Sequence, residues 1–137
     1  MDNKHKHLEL IQGVINRLST NSFLLKGWSV VLVSAMFALS APDSRVAFVY
    51  LAYIPAAIFW GLDGFYLWQE KLFRELYNRV RKVSDEEIDF SMDTSVIEGD
   101  DRPTWVGATF SKTLIPFHGV LLVSVVVVTL LAQTTKG

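Results

Sequence analysis

The sequence predicts an all-α integral membrane protein with three transmembrane helices, an N-terminal amphipathic helix and a cytoplasmic extension of the second span. Three observations predict it. Half of the 137 residues are hydrophobic and the mean hydropathy is +0.29, too apolar for an ordinary soluble domain of this length. Three apolar runs each meet the roughly 20-residue length that crosses a bilayer core. The second run closes on Phe59-Trp60-Gly61-Leu62-Asp63-Gly64-Phe65-Tyr66-Leu67-Trp68 and continues into Leu72, Phe73, Leu76, Tyr77, Val80 and Val83, which repeat at three and four among cations.

The chain reads as one membrane domain over 1–137. Residues 5–20 place Leu8, Ile11, Val14, Ile15 and Leu18 on one face, opposite Glu9, Gln12, Asn16 and Arg17, as a surface-lying or helix-packing amphipathic helix does. Asn21-Ser22 offers a break before the first span, 22–41. A cleaved signal peptide ending near Ala38-Leu39-Ser40-Ala41 is the competing reading of that run; its leading segment would be unusually long and Lys26 would sit in its apolar core. Ala41-Pro42-Asp43-Ser44-Arg45 has turn chemistry and joins the first two spans as an antiparallel hairpin. The second span, 46–68, carries Pro55, which removes one backbone donor and can kink a helix. Residues 69–83 extend it as an amphipathic rod up to Ser84, which opens a capping box with Glu87. Residues 84–111 form an acidic loop, a short helix followed by irregular chain, and 113–133 is the third span, Val-rich at its centre.

The formal net charge of −1 hides a segregation, with eight carboxylates between Asp85 and Asp101. Lys and Arg crowd the N-terminal segment and the region after the second span, whereas the hairpin loop has only Arg45 and the tail only Lys136. By the positive-inside rule the N-terminus lies in the cytoplasm and the C-terminus outside.

That topology sets Lys26, Asp63 and His118 at a similar depth, roughly 6 to 8 Å inside the cytoplasmic boundary at 1.5 Å per residue. A charge in lipid is costly, by ~2.5 to 3.5 kcal/mol at a helix centre, so such residues pair or face water. Three readings stand: a structural tie in which Lys26 snorkels and pairs with Asp63 while His118 bonds backbone, a polar pore mouth, or a proton relay. A second constellation joins Lys4, Lys6, His5, His7 and Arg17 with Arg74, Arg79, Arg81 and Lys82. These cations suit anionic lipid, the phosphates of an oligonucleotide, or the chain's own acidic 85–101 segment.

There is no cysteine, so no disulfide, thiol nucleophile or thiolate site exists. His5-Lys6-His7 lacks metal-site context, and neither a nucleophile motif nor a glycine-rich phosphate loop occurs. The sequence therefore implies no enzyme, metal or cofactor.

The run His7 to Leu18, then Asn21 to Trp28, Phe59 to Asp63 and Leu72 to Tyr77, resembles a widespread group of small bacterial three-span membrane proteins of uncharacterised type. It is also similar to the membrane channel effector of Hailong-type anti-phage defence systems. That likeness implies a homo-oligomeric channel that depolarises the inner membrane, gated on its basic cytoplasmic face by an oligonucleotide from a nucleotidyltransferase partner. Beside it stand a non-conducting adaptor that docks a cytoplasmic partner and a small proton-coupled transporter, the last disfavoured by the lack of internal repeats.

Overall fold

The computed structural model describes residues 2–40 and 46–136; the expected hairpin turn at 41–45 lies outside them. All regular structure among the described residues is helical: α1 (Asp2–Ser40), α2 (Val46–Leu51), α3 (Tyr53–Val80), α4 (Trp105–Thr109) and α5 (Ile115–Lys136). Three helical stretches, Asp2–Ser40, Ala47–Val80 and Ile115–Thr134, are long and apolar enough to cross a membrane.

Several boundaries differ from the sequence reading. No break occurs at Asn21-Ser22: α1 is one helix of 39 residues, about 58 Å long at 1.5 Å per residue. Thr20 Oγ1 donates back to the Asn16 carbonyl (2.9 Å) and Ser22 Oγ is drawn to Asp63, so neither hydroxyl is used as a cap. The second rod is interrupted once, at Ala52, because Pro55 has no N–H for the Leu51 carbonyl. Ladder bonds on either side, Ala52 N–H to Phe48 (3.2 Å) and Ala56 N–H to Ala52 (3.2 Å), keep α2 and α3 nearly continuous.

At the far end the rod stops at Val80 rather than Val83, with Arg81 as its cap and Lys82 and Val83 in a closing turn. Ser84 precedes a single 3-10 turn, Asp85–Glu87, and makes no side-chain cap bond, so the expected capping box is absent. The acidic segment contains a second 3-10 turn at Thr94–Val96, and the 84–111 region, expected to be loop after a short helix, ends in α4. The third span begins at Ile115 instead of 113.

Three apolar clusters hold the bundle. In the head, formed where α1 and α3 overrun the other helices, Ile11 and Ile15 interlock with Leu76 and Val80, flanked by Leu8, Phe73 and Tyr77. Each pair is four residues apart and so shares a helix face. Burying such side chains contributes ~1.5 to 3 kcal/mol each. Ile88 and Met92 lay the 84–102 strap over the same cluster. The strap is tied further by the Lys4 N–H to Asp85 Oδ1 (2.9 Å) and by His7 Nε2, which donates to the Ser91 carbonyl (2.8 Å). Between strap and helix, Phe90 takes a left-handed backbone (φ 56°) that sets its ring 5.7 Å from His7.

The second cluster joins Leu67, Ala108 and Leu114 at the middle of α3, and the third joins Val33, Ala52, Ala56 and Val125 near the other end. Beyond that third cluster Tyr53 and Thr129 share a hydroxyl hydrogen bond (2.9 Å). Outward-facing positions are apolar on every long helix, among them Phe23, Trp28, Ile54, Ile58, Val120 and Leu131.

Candidate functional site

Asp63 is fully buried, and three donors from two helices, α1 and α5, converge on its carboxylate. Lys26 Nζ of α1 lies 2.6 Å from Oδ2, His118 Nε2 of α5 donates to the same oxygen at 2.7 Å, and Ser22 Oγ donates to Oδ1. Lys26 also donates to Ser22 Oγ (2.9 Å), closing a ring of polar contacts. The structure thus brings Lys26, Asp63 and His118 into direct contact and adds Ser22. Both carboxylate oxygens only accept here, which suits the ionised form. Desolvating such a pair is expensive, and good geometry with further hydrogen bonds is what offsets it.

The cluster has an apolar wall. Trp60 stacks on the His118 ring (centroids 5.7 Å, planes 7° apart) and Phe117 meets it edge-on at 5.0 Å. His118 Nδ1 is buried and has no hydrogen-bond partner among the described residues.

A collar of tryptophans fixes the wall. Trp60 Nε1 donates to the Thr109 carbonyl (2.8 Å), Trp105 Nε1 to Gly61 (3.0 Å) and Trp68 Nε1 to Pro103 (2.9 Å), so α4 is stapled across α3 at the level of Asp63. Thr104 caps α4 by accepting from the Gly107 N–H (3.0 Å). The approach is close: a Cβ on Gly64 would lie 2.9 Å from Thr109 Cβ and 3.0 Å from its Cα.

The other cations behave differently. Lys6, Arg17, Arg74, Arg81 and Lys82 are exposed, and Lys4 is half-buried. Arg74 pairs loosely with Glu70 at 3.6 Å. Arg79 donates to the Val96 carbonyl (3.1 Å) beside a cavity of about 160 Å³ that it shares with Glu87, Asp89 and Asp93. His5 is exposed, but His7 belongs to the head core at 1% exposure, in step with Ile11 and Ile15.

Two site features were missed in the sequence although signals existed. Ser22 stands one turn before Lys26, where a hydroxyl can reach the same partner. Gly64 directly follows Asp63 in the interior of α3, where the missing side chain admits a close backbone neighbour. Compared with family models, curated proteins and solved structures, the chain finds no match.

Proposed function

We propose that the chain is one subunit of a homo-oligomeric channel in a bacterial inner membrane, a defence effector whose cytoplasmic head controls the state of the Asp63 cluster. The N-terminus and head face the cytoplasm and the C-terminus the periplasm, as the Lys and Arg distribution indicates.

The observation that carries this reading is continuity. Lys26 and Asp63 sit on the same unbroken helices, α1 and α3, whose overrunning ends interlock through Ile11, Ile15, Leu76 and Val80. A ligand that shifts one head helix against the other shifts the Lys26 to Asp63 contact as well, and it biases the states to the extent that it binds one better. The exposed cations Lys6, Arg17, Arg74, Arg81 and Lys82 are what an anionic oligonucleotide, made by a nucleotidyltransferase partner, would meet. The acidic strap is its competitor on the same head.

Conduction belongs to an assembly. Within one copy the core between the cluster and the Tyr53–Thr129 pair is filled by Val33, Ala52, Ala56 and Val125. A water path therefore runs between copies, helped by the exposed small residues Ser34, Ala35 and Ala38 of α1. The same filling argues against a proton relay through a single chain.

Planar-bilayer recording of the purified protein, with its mass measured in nanodiscs, tests the proposal. Discrete current steps from a multimer support it. Inserted protein that stays electrically silent with and without anionic oligonucleotides overturns it in favour of an adaptor.

A further inference from the structure

The Asp63 cluster opens sideways into a cavity of about 270 Å³ between α1 and α3. Its polar lining is Ser19, Ser22, Lys26, Tyr66, Glu70 and Thr113. Phe23, 75% exposed, and the exposed Thr113 stand at its rim, so it communicates with the surface of the bundle. An ammonium has three donors. Two of those on Lys26 go to Ser22 and Asp63, and the third has no partner among the described residues. At the other end the Glu70 side chain is only 13% exposed and its Arg74 contact is long, leaving acceptor capacity in the cavity.

We propose that this cavity holds the headgroup of a phospholipid bearing both a phosphate and a primary ammonium, the ethanolamine class; the proposal rests on the membrane-spanning reading above. The order of charges decides the class. Lys26 contacts Asp63, whereas Glu70 follows Asp63 by seven residues on α3, about 10 Å farther toward the head. In the leaflet on that side a phospholipid has its phosphate next to the hydrocarbon and its amine farther out, the same sequence of partners. Lys26 supplies a donor for the phosphate at the inner end, the Ser19 and Thr113 hydroxyls lie farther toward the head along the same cavity, and Glu70 accepts from the ammonium.

The height is right for a headgroup. Tyr66 and Glu70 share the α3 turns that carry Trp68, and the indoles of Trp60, Trp68 and Trp105 form the kind of aromatic belt that marks a membrane interface. A choline headgroup has no N–H for Glu70, and a glycerol headgroup has no cation, so Glu70 is the residue that selects. The bound phosphate takes the last Lys26 donor and competes with Asp63 for that charge, which makes the lipid a regulator of the cluster.

Full-length protein in nanodiscs of mixed ethanolamine, choline and glycerol phospholipids, examined by native mass spectrometry, tests this. One ethanolamine lipid per chain should be retained about five- to tenfold over its share relative to choline lipid, the ratio one charge-assisted hydrogen bond at a partly open site provides. Glu70→Gln should bring that ratio close to one while flotation with vesicles is unchanged, and Thr113→Val should weaken retention of all three lipids. Equal retention of ethanolamine and choline lipid by the unmodified chain, or a preference that survives Glu70→Gln, overturns the proposal. Displacement by equimolar water-soluble phosphoethanolamine overturns the lipid assignment in favour of the free zwitterion. Failure to float with vesicles at all refutes the membrane-spanning reading instead.

Discussion

Placing a methyl group on Gly64 tests the stapling of α4 across α3. In Gly64→Ala the new Cβ meets the Thr109 Cβ at 2.9 Å and its Cα at 3.0 Å. Turning the Thr109 side chain does not relieve a clash that includes backbone, so α4 must lift. Lifting strains or breaks three indole hydrogen bonds, worth about 1 kcal/mol net each, and loosens Ala108 from Leu67 and Leu114. Overpacking of this kind costs typically about 1 to 3 kcal/mol, and about 2 kcal/mol corresponds to roughly 30-fold more opening of the 103–111 segment. Hydrogen exchange read by mass spectrometry in detergent measures that opening directly. Gly61→Ala is the control, since its Cβ meets nothing within 4 Å and a helical alanine is favoured by about 1 kcal/mol over glycine. Adding Thr109→Gly to Gly64→Ala removes the facing Cβ and should recover much of the protection. Unchanged exchange of 103–111 in Gly64→Ala, or no difference from Gly61→Ala, refutes the close approach.

Other consequences follow from the same packing. Lys26→Met alone should destabilise by about 3 to 5 kcal/mol because it leaves Asp63 buried without its cation, and the Lys26→Met, Asp63→Asn double variant should recover more than half of that in thermal unfolding. Ile11→Ala should cost about 2 to 5 kcal/mol and raise hydrogen exchange of the Ile88–Met92 stretch it supports. The Asp93 carboxyl is held below its ordinary value by the Ser95 hydroxyl and the Ser95 N–H. Its contribution to the Thr94–Val96 turn is therefore complete above the unfolded value, about pH 4, and is lost as pH falls through the lower folded value; Asp93→Asn should abolish that acid dependence in a carbon-detected titration of the turn. Reporter fusions should read cytoplasmic when placed in the 85–101 segment and periplasmic after Gly137, and the reverse of either contradicts the orientation.

What the sequence made legible was whatever depends on periodicity and depth. Lys26, Asp63 and His118 are each a few residues inside an apolar run, so counting rise per residue set them level, and they do touch. The head was readable because Ile11, Ile15, Leu76 and Val80 repeat at helical spacing. His7 shows how a residue type misleads: beside Lys4 and Lys6 it reads as a cation, yet its spacing of four from Ile11 places it in the core. The Asn21-Ser22 break failed because cap chemistry is a local preference, and the tertiary partner Asp63 claims the Ser22 hydroxyl. The docking of α4 was least accessible, since it depends on the absence of a side chain at Gly64 meeting a backbone 45 residues away. Pro103 and Thr104 mark the start of that helix, but at five residues it carries too little periodicity to announce itself.

The claim that the head controls an ion path through the Lys26–Asp63 contact is met most directly by recording ion conductance per membrane-inserted chain for the unmodified protein and Asp63→Asn side by side. The amide keeps the volume of the carboxylate while leaving the Lys26 charge uncompensated. The account predicts a basal open probability that differs between the two, about tenfold for every 1.4 kcal/mol by which the ion pair favours one state. Conductance that simply tracks the amount of folded, inserted protein, equal per chain in both, would contradict it.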